Sequence, residues 1–293
     1  MTAILHSSIR IMTPFLFAAI GGLFSEAAGI LNIGLEGLML ISAFFCVTAA
    51  GFSGSLWVGI AAGVSAAMAL AMIFAYASIR LKANIFIAGI ATNLVAAALS
   101  ALLASHIFGH RGVFRFSNFP TLPLVAKPSW IGWPGDILLG HNVLVYLSWL
   151  TAAACAIVLY KTPLGLRIRG TGLDSRTMVT LGLRPNRYRF AGVLVSGFTC
   201  GLAGCFLSLS LAAYVPNLTA GRGWIALVII YLGFRKPLGI VIASLLFGVA
   251  ESLSNYSQGF LSLPPEIIMA FPYIISIVAL VGYSAWGYYR RVK

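Results

Sequence analysis

The sequence predicts an all-α polytopic membrane protein with about 8–10 membrane helices or half-helices, and three observations lead to this fold class. Apolar residues make up 60% of the 293 positions and charged residues only 9%, against roughly 45–50% and about 25% in soluble globular domains. Several apolar runs reach the roughly 20 residues that an α-helix needs to cross a bilayer. Only six residues are acidic, too few to cover a water-facing surface. We therefore expect one transmembrane domain, 1–293, surrounded by the lipid bilayer.

The apolar runs set the order of the expected membrane elements. They cover 11–24, 30–50, 55–79, 84–105, 141–160, 190–213, about 217–234, 237–254 and 266–287. At about 1.5 Å per residue the first run reaches only about 21 Å, so its crossing of the bilayer stays open. A polar segment, 106–140, and a basic loop, 161–189, separate the longer runs.

The net charge of +13 would suggest a nucleic-acid partner for a soluble protein, but its placement indicates membrane orientation. If the C-terminus lies inside and the runs alternate, 14 of the 19 Lys and Arg residues fall on the cytoplasmic side, as the positive-inside rule requires. The outer side then holds Arg111, Arg115, Lys127 and Arg222. We therefore expect 106–140 to be extracytoplasmic, 161–189 and the C-terminus to be cytoplasmic, and no nucleic acid to bind.

Two polar interruptions, at 29–37 and 214–224, break otherwise apolar stretches with glycines. In transporters, paired interruptions of this kind point to the substrate path. Asn32 and Glu36 are four residues apart, so we expect them on one helix face. A charged side chain at mid-membrane costs about 2.5–3.5 kcal/mol and normally faces a cavity or a partner. Two interpretations stay open: a polar lining of a permeation path, or a Glu36 that lies near an interface or only caps a helix.

The basic loop contains a segment that we expect to be a short helix over 173–182. Asp174 or Ser175 can cap its N-terminus and Gly182 can end it, while Met178 and Val179 supply apolar contacts. Such a segment either rests on lipid headgroups or docks a cytoplasmic partner.

Motifs for catalysis or nucleotide binding do not occur. The Lys161-Thr162 pair lacks the preceding glycines of a phosphate-binding loop, and no Gly-x-Ser-x-Gly elbow is present. The four cysteines show neither disulfide nor metal-site spacing. We therefore expect no catalytic residue, no metal and no cofactor in this chain. If transport is driven by ATP, the ATP and Mg must bind a separate subunit.

Three segments resemble a known family. They are residues 29–44 (GILNIGLEGLMLISAF), residues 163–183, which include Asp174-Ser175-Arg176, and residues 219–251. In the same order, these segments resemble the permeases of bacterial ABC transporters of the nucleoside-uptake group. That group belongs to the larger branched-chain amino acid and ribose permease superfamily. At positions 172–176 this chain reads Gly-Leu-Asp-Ser-Arg, where the family more often has Gly-Glu-Asn-Pro-Arg.

The resemblance implies a type II ABC importer-like permease in the bacterial cytoplasmic (inner) membrane. Its implied partners are ABC ATPase subunits, a second permease that is identical or a paralogue, and an extracytoplasmic nucleoside-binding lipoprotein. The loop 161–189 would couple the permease to the ATPase through Asp174, Ser175, Arg176, Met178, Val179 and Gly182. Because nucleosides are neutral and polar, we expect Asn32, Glu36 and Asn93 along the substrate pathway.

Two other transport functions compete with nucleoside import. The first is an ABC permease with the same architecture that carries ribose, another sugar or a branched-chain amino acid. An amino acid would require a cation or a half-helix N-terminus to bind its carboxylate, and Arg222 is the best candidate for that cation. An ion-coupled secondary transporter would require buried titratable groups, for which Glu36 and then Glu251 are candidates.

Overall fold

The computed structural model describes residues 2–109, 112–116, 119–125 and 132–258, with the isolated positions 274, 277 and 281. Helices dominate this part of the chain. In order they are α1 (Thr2–Ala27), α2 (Leu35–Ser53), α3 (Leu56–Ala75) with a π-helical turn (Tyr76–Arg80), α4 (Ile85–Phe108), α5 (Gly132–Leu138), α6 (Val143–Lys161), α7 (Pro163–Leu173), α8 (Ser175–Thr180), α9 (Pro185–Leu211), α10 (Arg222–Leu232) and α11 (Pro237–Ser257). Two short strands, β1 (Phe114–Arg115) and β2 (Ala213–Tyr214), pair antiparallel.

Among the described residues, seven helices are long and apolar enough to cross a membrane: α1, α2, α3 with its π-helical turn, α4, α6, α9 and α11. The eleven residues of α10 reach about 16 Å, which makes it a half-helix. The all-α membrane fold is therefore confirmed. Apart from positions 274, 277 and 281, the run 266–287 lies outside the described residues, as do the cations after it, Arg111 and Lys127.

The first apolar run belongs to a helix longer than the sequence indicated. We expected it to begin at residue 11, but α1 begins at Thr2 and has 26 residues, a length of about 39 Å. Polar residues fit in its first turns because their hydroxyls bond back to the helix: Ser8 Oγ donates to the Ile4 carbonyl at 2.7 Å and Thr13 Oγ1 to the Ile9 carbonyl at 3.0 Å. This helix is long enough to span the bilayer.

The core lies where α1, α2, α3 and α9 meet. Glycines on α9 permit the close approach: a Cβ atom at Gly201 would lie 2.9 Å from Val64 Cα, and one at Gly192 would lie 2.7 Å from the Phe24 carbonyl oxygen. Gly204 contacts the backbone at Met39 in the same way. Because the hydrophobic effect does not drive helices together in lipid, close van der Waals packing at small residues stabilises their association.

The two ends of the bundle differ in chemistry. One end carries Arg80, α7, α8 and the α10–α11 connection with Arg235, and we call it the basic end. The opposite end carries β1, β2 and α5. There, His6 of α1 stacks on His141, which precedes α6, with ring centroids 4.0 Å apart.

Candidate functional site

The first polar interruption is a true break between helices. Residues 28–34 are not helical, and Gly29 has a φ of +82°. Asn32 therefore lies in the break while Glu36 lies in the first turn of α2, so the expectation that they share one helix face was wrong. The reason is local: Asn32 Oδ1 accepts a hydrogen bond from the Gly34 N–H at 3.0 Å, a turn that competes with helix formation.

Two amide side chains replace the backbone partners that the break removes. Asn32 is buried, and its Nδ2 donates to Ser196 Oγ on α9 at 2.7 Å. Asn93 of α4 accepts from the Gly37 N–H at 2.8 Å and donates to the Ile33 carbonyl at 3.0 Å. Backbone groups without water must find internal partners in a membrane, so both side chains brace the broken segment.

The second interruption leads into α10. Between β2 and α10 the chain uses left-handed backbone at Asn217, Ala220 and Gly221, with φ of +53°, +44° and +82°. The half-helix then starts at Arg222, where its first N–H groups have no partner within the helix.

Glu36 supplies those partners. Its Oε1 accepts from Thr219 Oγ1 at 2.5 Å and from the Gly221 N–H at 2.8 Å, and its Oε2 accepts from the Gly223 N–H at 2.6 Å. Gly223 must be glycine, because a Cβ atom there would lie 2.5 Å from Glu36 Cα. The carboxylate thus occupies the positive end of the α10 dipole, and the two interruptions meet at one buried anion.

Two further carboxylates hold the same half-helix. Arg222 Nη2 pairs with Glu251 Oε1 of α11 at 2.5 Å, and the Arg222 side chain is half-buried. At the other end of α10, Arg235 Nη2 pairs with Glu26 Oε1 at 3.0 Å, and the Tyr231 hydroxyl donates to the same oxygen at 3.4 Å.

Half of the six acidic residues therefore contact the segment 219–235. Sequence reasoning missed the role of Glu26. The available signal was the scarcity of acids: in so apolar a chain, each carboxylate near a span requires a partner.

The segment 173–182, for which we expect a coupling role, folds much as its cap predicts. Asp174 has extended backbone, and its side chain accepts from the Arg176 N–H at 2.9 Å and from Thr177 Oγ1 at 2.5 Å. These bonds, the one from Thr177 first, lower the pKa of the Asp174 carboxyl. Gly182, with a φ of +73°, follows the end of the helix. The short helix is confirmed, although it covers Ser175–Thr180 and not 173–182.

The two apolar residues singled out in this segment point in different directions. Met178 is 6% exposed and packs on Gly170 of α7, so it supports the segment from inside. Val179 is 60% exposed and Leu181 is 67% exposed. The open apolar face therefore consists of Val179 and Leu181 and not of Met178. Ser175 is half-buried and Arg176 is exposed.

Comparison with known proteins agrees with this architecture. A family model described as the permease component of branched-chain amino acid transport systems matches residues 4–280. A nucleoside ABC transporter permease protein of Lactococcus lactis is 33% identical over 92% of this chain and 88% of its own length. A guanosine ABC transporter permease protein of Bacillus subtilis is 32% identical over 97% and 92%.

Two other similarities bear on cargo and fold. A provisionally named glucose ABC transporter permease protein of Haloferax volcanii is 32% identical over 94% of this chain and 90% of its own length. The solved inward-facing structure of a provisionally assigned metal-chelate type ABC transporter aligns with a TM-score of 0.54. It covers 93% of this chain and 85% of its own at 17% identity, a likeness of fold alone.

Proposed function

The chain belongs to the family of permease components of branched-chain amino acid transport systems, and from that premise we propose that it is the membrane-spanning subunit of an ATP-driven importer of nucleosides. It is a multi-pass ABC transporter permease. In the proposed assembly a second permease completes the path, an extracytoplasmic lipoprotein delivers the nucleoside, and ATPase subunits bind ATP and Mg.

The choice of cargo rests on the N-terminus of α10, where the Glu36 carboxylate is already bound. An amino acid needs a partner for its carboxylate, and half-helix N-termini supply one in other transporters. Here Glu36 already fills that position and Glu251 already pairs with Arg222. A neutral polar cargo does not need either group. Two of the relatives are named for nucleosides or guanosine and one for glucose, so we favour a nucleoside over a sugar.

We assign to Asn32, Glu36 and Asn93 the bracing of the pathway. Their polar atoms are all bonded to the protein, which supports a role in fixing the two breaks beside the path and not in contacting cargo. If the two breaks are held in place near the middle of the membrane, their backbone polar groups are available to a polar cargo there.

We further propose that the basic end faces the cytoplasm of a bacterial inner membrane, as the distribution of Lys and Arg indicates. The ATPase then binds the open face of α8. ATP can favour one access state only through contacts that differ between the states, and an exposed apolar face at Val179 and Leu181 is suited to making them.

Uptake by the reconstituted complex tests the proposal. The permease, co-expressed with its partner subunits, is placed in liposomes and supplied with labelled guanosine or uridine, with glucose and leucine as competitors. We expect nucleoside uptake that requires ATP and resists both competitors. Competition by glucose alone would change the cargo to a sugar, and leucine uptake would contradict the argument from Glu36. Uptake driven by an ion gradient without ATPase would support the secondary transporter instead.

A further inference from the structure

A cavity of about 1090 Å³ opens at the basic end, between α8, the first turns of α9 and the π-helical turn. Its lining is strongly cationic, and none of the lining residues is acidic. The arginines that reach it are Arg80, Arg176, Arg184, Arg187 and Arg189. They come from three separate stretches of sequence, so the fold itself gathers them.

These arginines do not pair with carboxylates in the part of the chain that the structure describes. The two ion pairs found there use Arg222 and Arg235. Asp174 adjoins the cavity, but its carboxylate accepts from the Arg176 N–H and from Thr177. Within the same part of the chain, the Arg189 Nε is shielded from solvent without a hydrogen-bond partner. Like charges held together are unfavourable unless an anion neutralises them, so the cavity is suited to an anionic ligand.

The rest of the lining is mostly apolar, and part of it belongs to a membrane helix. Near α8 and the start of α9 it consists of Ser175, Val179, Leu183, Pro185 and Asn186, so Val179 contributes both to the cavity and to the open face of α8. Phe190, Ala191 and Leu194 line the cavity from the first three turns of α9, which is long and apolar enough to span the bilayer. A ligand with only an anionic group would leave this wall uncovered. A phosphate next to an acyl chain fits both halves, and basic pockets between membrane helices are known to bind anionic headgroups.

We propose that this cavity binds an anionic phospholipid, with its phosphate among the five arginines and an acyl chain along Phe190, Ala191 and Leu194. An acidic segment of a partner protein is the competing occupant. The position of the apolar wall on a spanning helix favours the lipid, because that wall continues into the hydrocarbon region.

Lipid retention by the purified transporter complex tests the proposal. Native mass spectrometry would follow the delipidated complex after addition of phosphatidylglycerol or phosphatidylcholine. The test variant is Arg184→Gln with Arg187→Gln. The matched control is Lys161→Gln with Lys236→Gln, which removes the same charge from the basic end at two exposed positions outside the cavity. We expect wild type and control to prefer phosphatidylglycerol, and the arginine variant to lose about tenfold or more of that preference.

Three outcomes of this comparison would overturn the proposal, and a salt titration adds a fourth. They are equal retention of both lipids by wild type, an equal loss in the lysine control, and an arginine variant that keeps the lipid but loses the ATPase. The last outcome would assign the cavity to a protein partner. Wild type gives a measure independent of any variant: its preference for phosphatidylglycerol should weaken as salt rises, and a preference indifferent to salt would contradict binding through the arginines.

Discussion

At the scale of the residue, Glu36 joins two breaks that are far apart in sequence. It lies in the first turn of α2 and accepts from two N–H groups at the start of α10. One negative charge therefore faces the positive ends of two helix dipoles. Because the bilayer core supplies no water, this carboxylate serves as the hydrogen-bond acceptor for the start of α10.

Replacing Glu36 with Gln should weaken the protein and its transport. The amide turns an NH₂ group toward donors, so at least one hydrogen bond to a charged group is lost, each worth about 1.5–3 kcal/mol. We expect lower thermal stability in detergent and reduced nucleoside uptake at equal amounts of inserted protein. The measurements are a thermal unfolding curve and the uptake assay.

A series at Thr219 provides the control for Glu36. Thr219→Ser keeps the hydroxyl that donates to Glu36 and should resemble wild type. Thr219→Val removes one of three donors and should fall between wild type and Glu36→Gln. If Glu36→Gln unfolded and transported like wild type, the bracing role would be refuted.

The stacked His6–His141 pair gives the opposite end of the bundle a dependence on pH. Burial, with smaller contributions from the nearby charges of His6 and Arg10, lowers the pKa of His141, and His6 Nδ1 contacts the Asp136 carbonyl at 3.0 Å. Because the pKa in the folded state lies below the ordinary value of about 6.5, the folded protein resists protonation more than the unfolded chain does. The contribution of His141 to the free energy of unfolding is therefore fully present above about pH 6.5, and it is lost as the pH falls through the lowered pKa.

We therefore expect the unfolding temperature to fall as the pH drops from neutral to about 5. His141→Gln should flatten this dependence. His106→Gln, at an exposed position on α4, should leave it unchanged. An identical pH profile for wild type and His141→Gln would show that other groups are responsible.

Among the helices, α8 allows the most specific test, because its open apolar face can be changed without disturbing the core. Val179→Asp with Leu181→Asp should leave insertion and thermal stability unchanged, since both side chains are exposed. If that face binds the ATPase, substrate-stimulated ATP hydrolysis should fall by about tenfold or more, because charges are expensive in an apolar contact. The measurements are ATPase pull-down and turnover in one detergent.

Two comparisons make the α8 result specific. Val179→Ile with Leu181→Met keeps the face apolar and should retain turnover. Met178→Asp should instead lower the stability of the permease, because Met178 packs inside on Gly170. Normal pull-down and turnover in the double aspartate variant would mean that α8 merely rests on headgroups.

Local signals in the sequence predicted the elements, while the pairings between them remained out of reach. The length of an apolar run is a local property, and it was sufficient to locate the membrane spans. Asp174 and Gly182 located α8, because a helix cap acts within a few residues. Asn32 bonds to a residue 164 positions away and Glu36 to one 183 positions away. Neither contact can be recognised from the neighbouring sequence, so the polar residues could be predicted as important but their partners could not be identified.

At the scale of the whole molecule, α10 is anchored at both of its ends. Glu36 and Glu251 bind its N-terminal end, and Glu26 binds the connection that follows it. These contacts tie α10 to α1, α2 and α11. We expect the four helices to shift together when the permease changes its access state, because shifting α10 alone would separate three carboxylates from their partners.

The distance along the chain between these partners leads to an expectation about synthesis. A nascent chain truncated after residue 212 contains Glu26 and Glu36 but none of the segment 219–235. Such a fragment should be degraded faster after pulse labelling than one truncated after residue 258, and Glu36→Gln should narrow the difference. Equal lifetimes would indicate that the early helices are stable without α10.

The anchoring of α10 thus also sets a delay in folding. At about 5–20 residues per second, a ribosome needs about 10–40 s to proceed from Glu36 to Thr219. During that interval the Glu36 carboxylate lacks its partners Thr219, Gly221 and Gly223, at a cost of about 2.5–3.5 kcal/mol if it enters the bilayer core. We therefore expect α2 to remain near water, the insertion machinery or a chaperone until α10 has been made. Helices α1 and α2 are synthesised before α10, and we expect them to reach their final position only after α10 has been made.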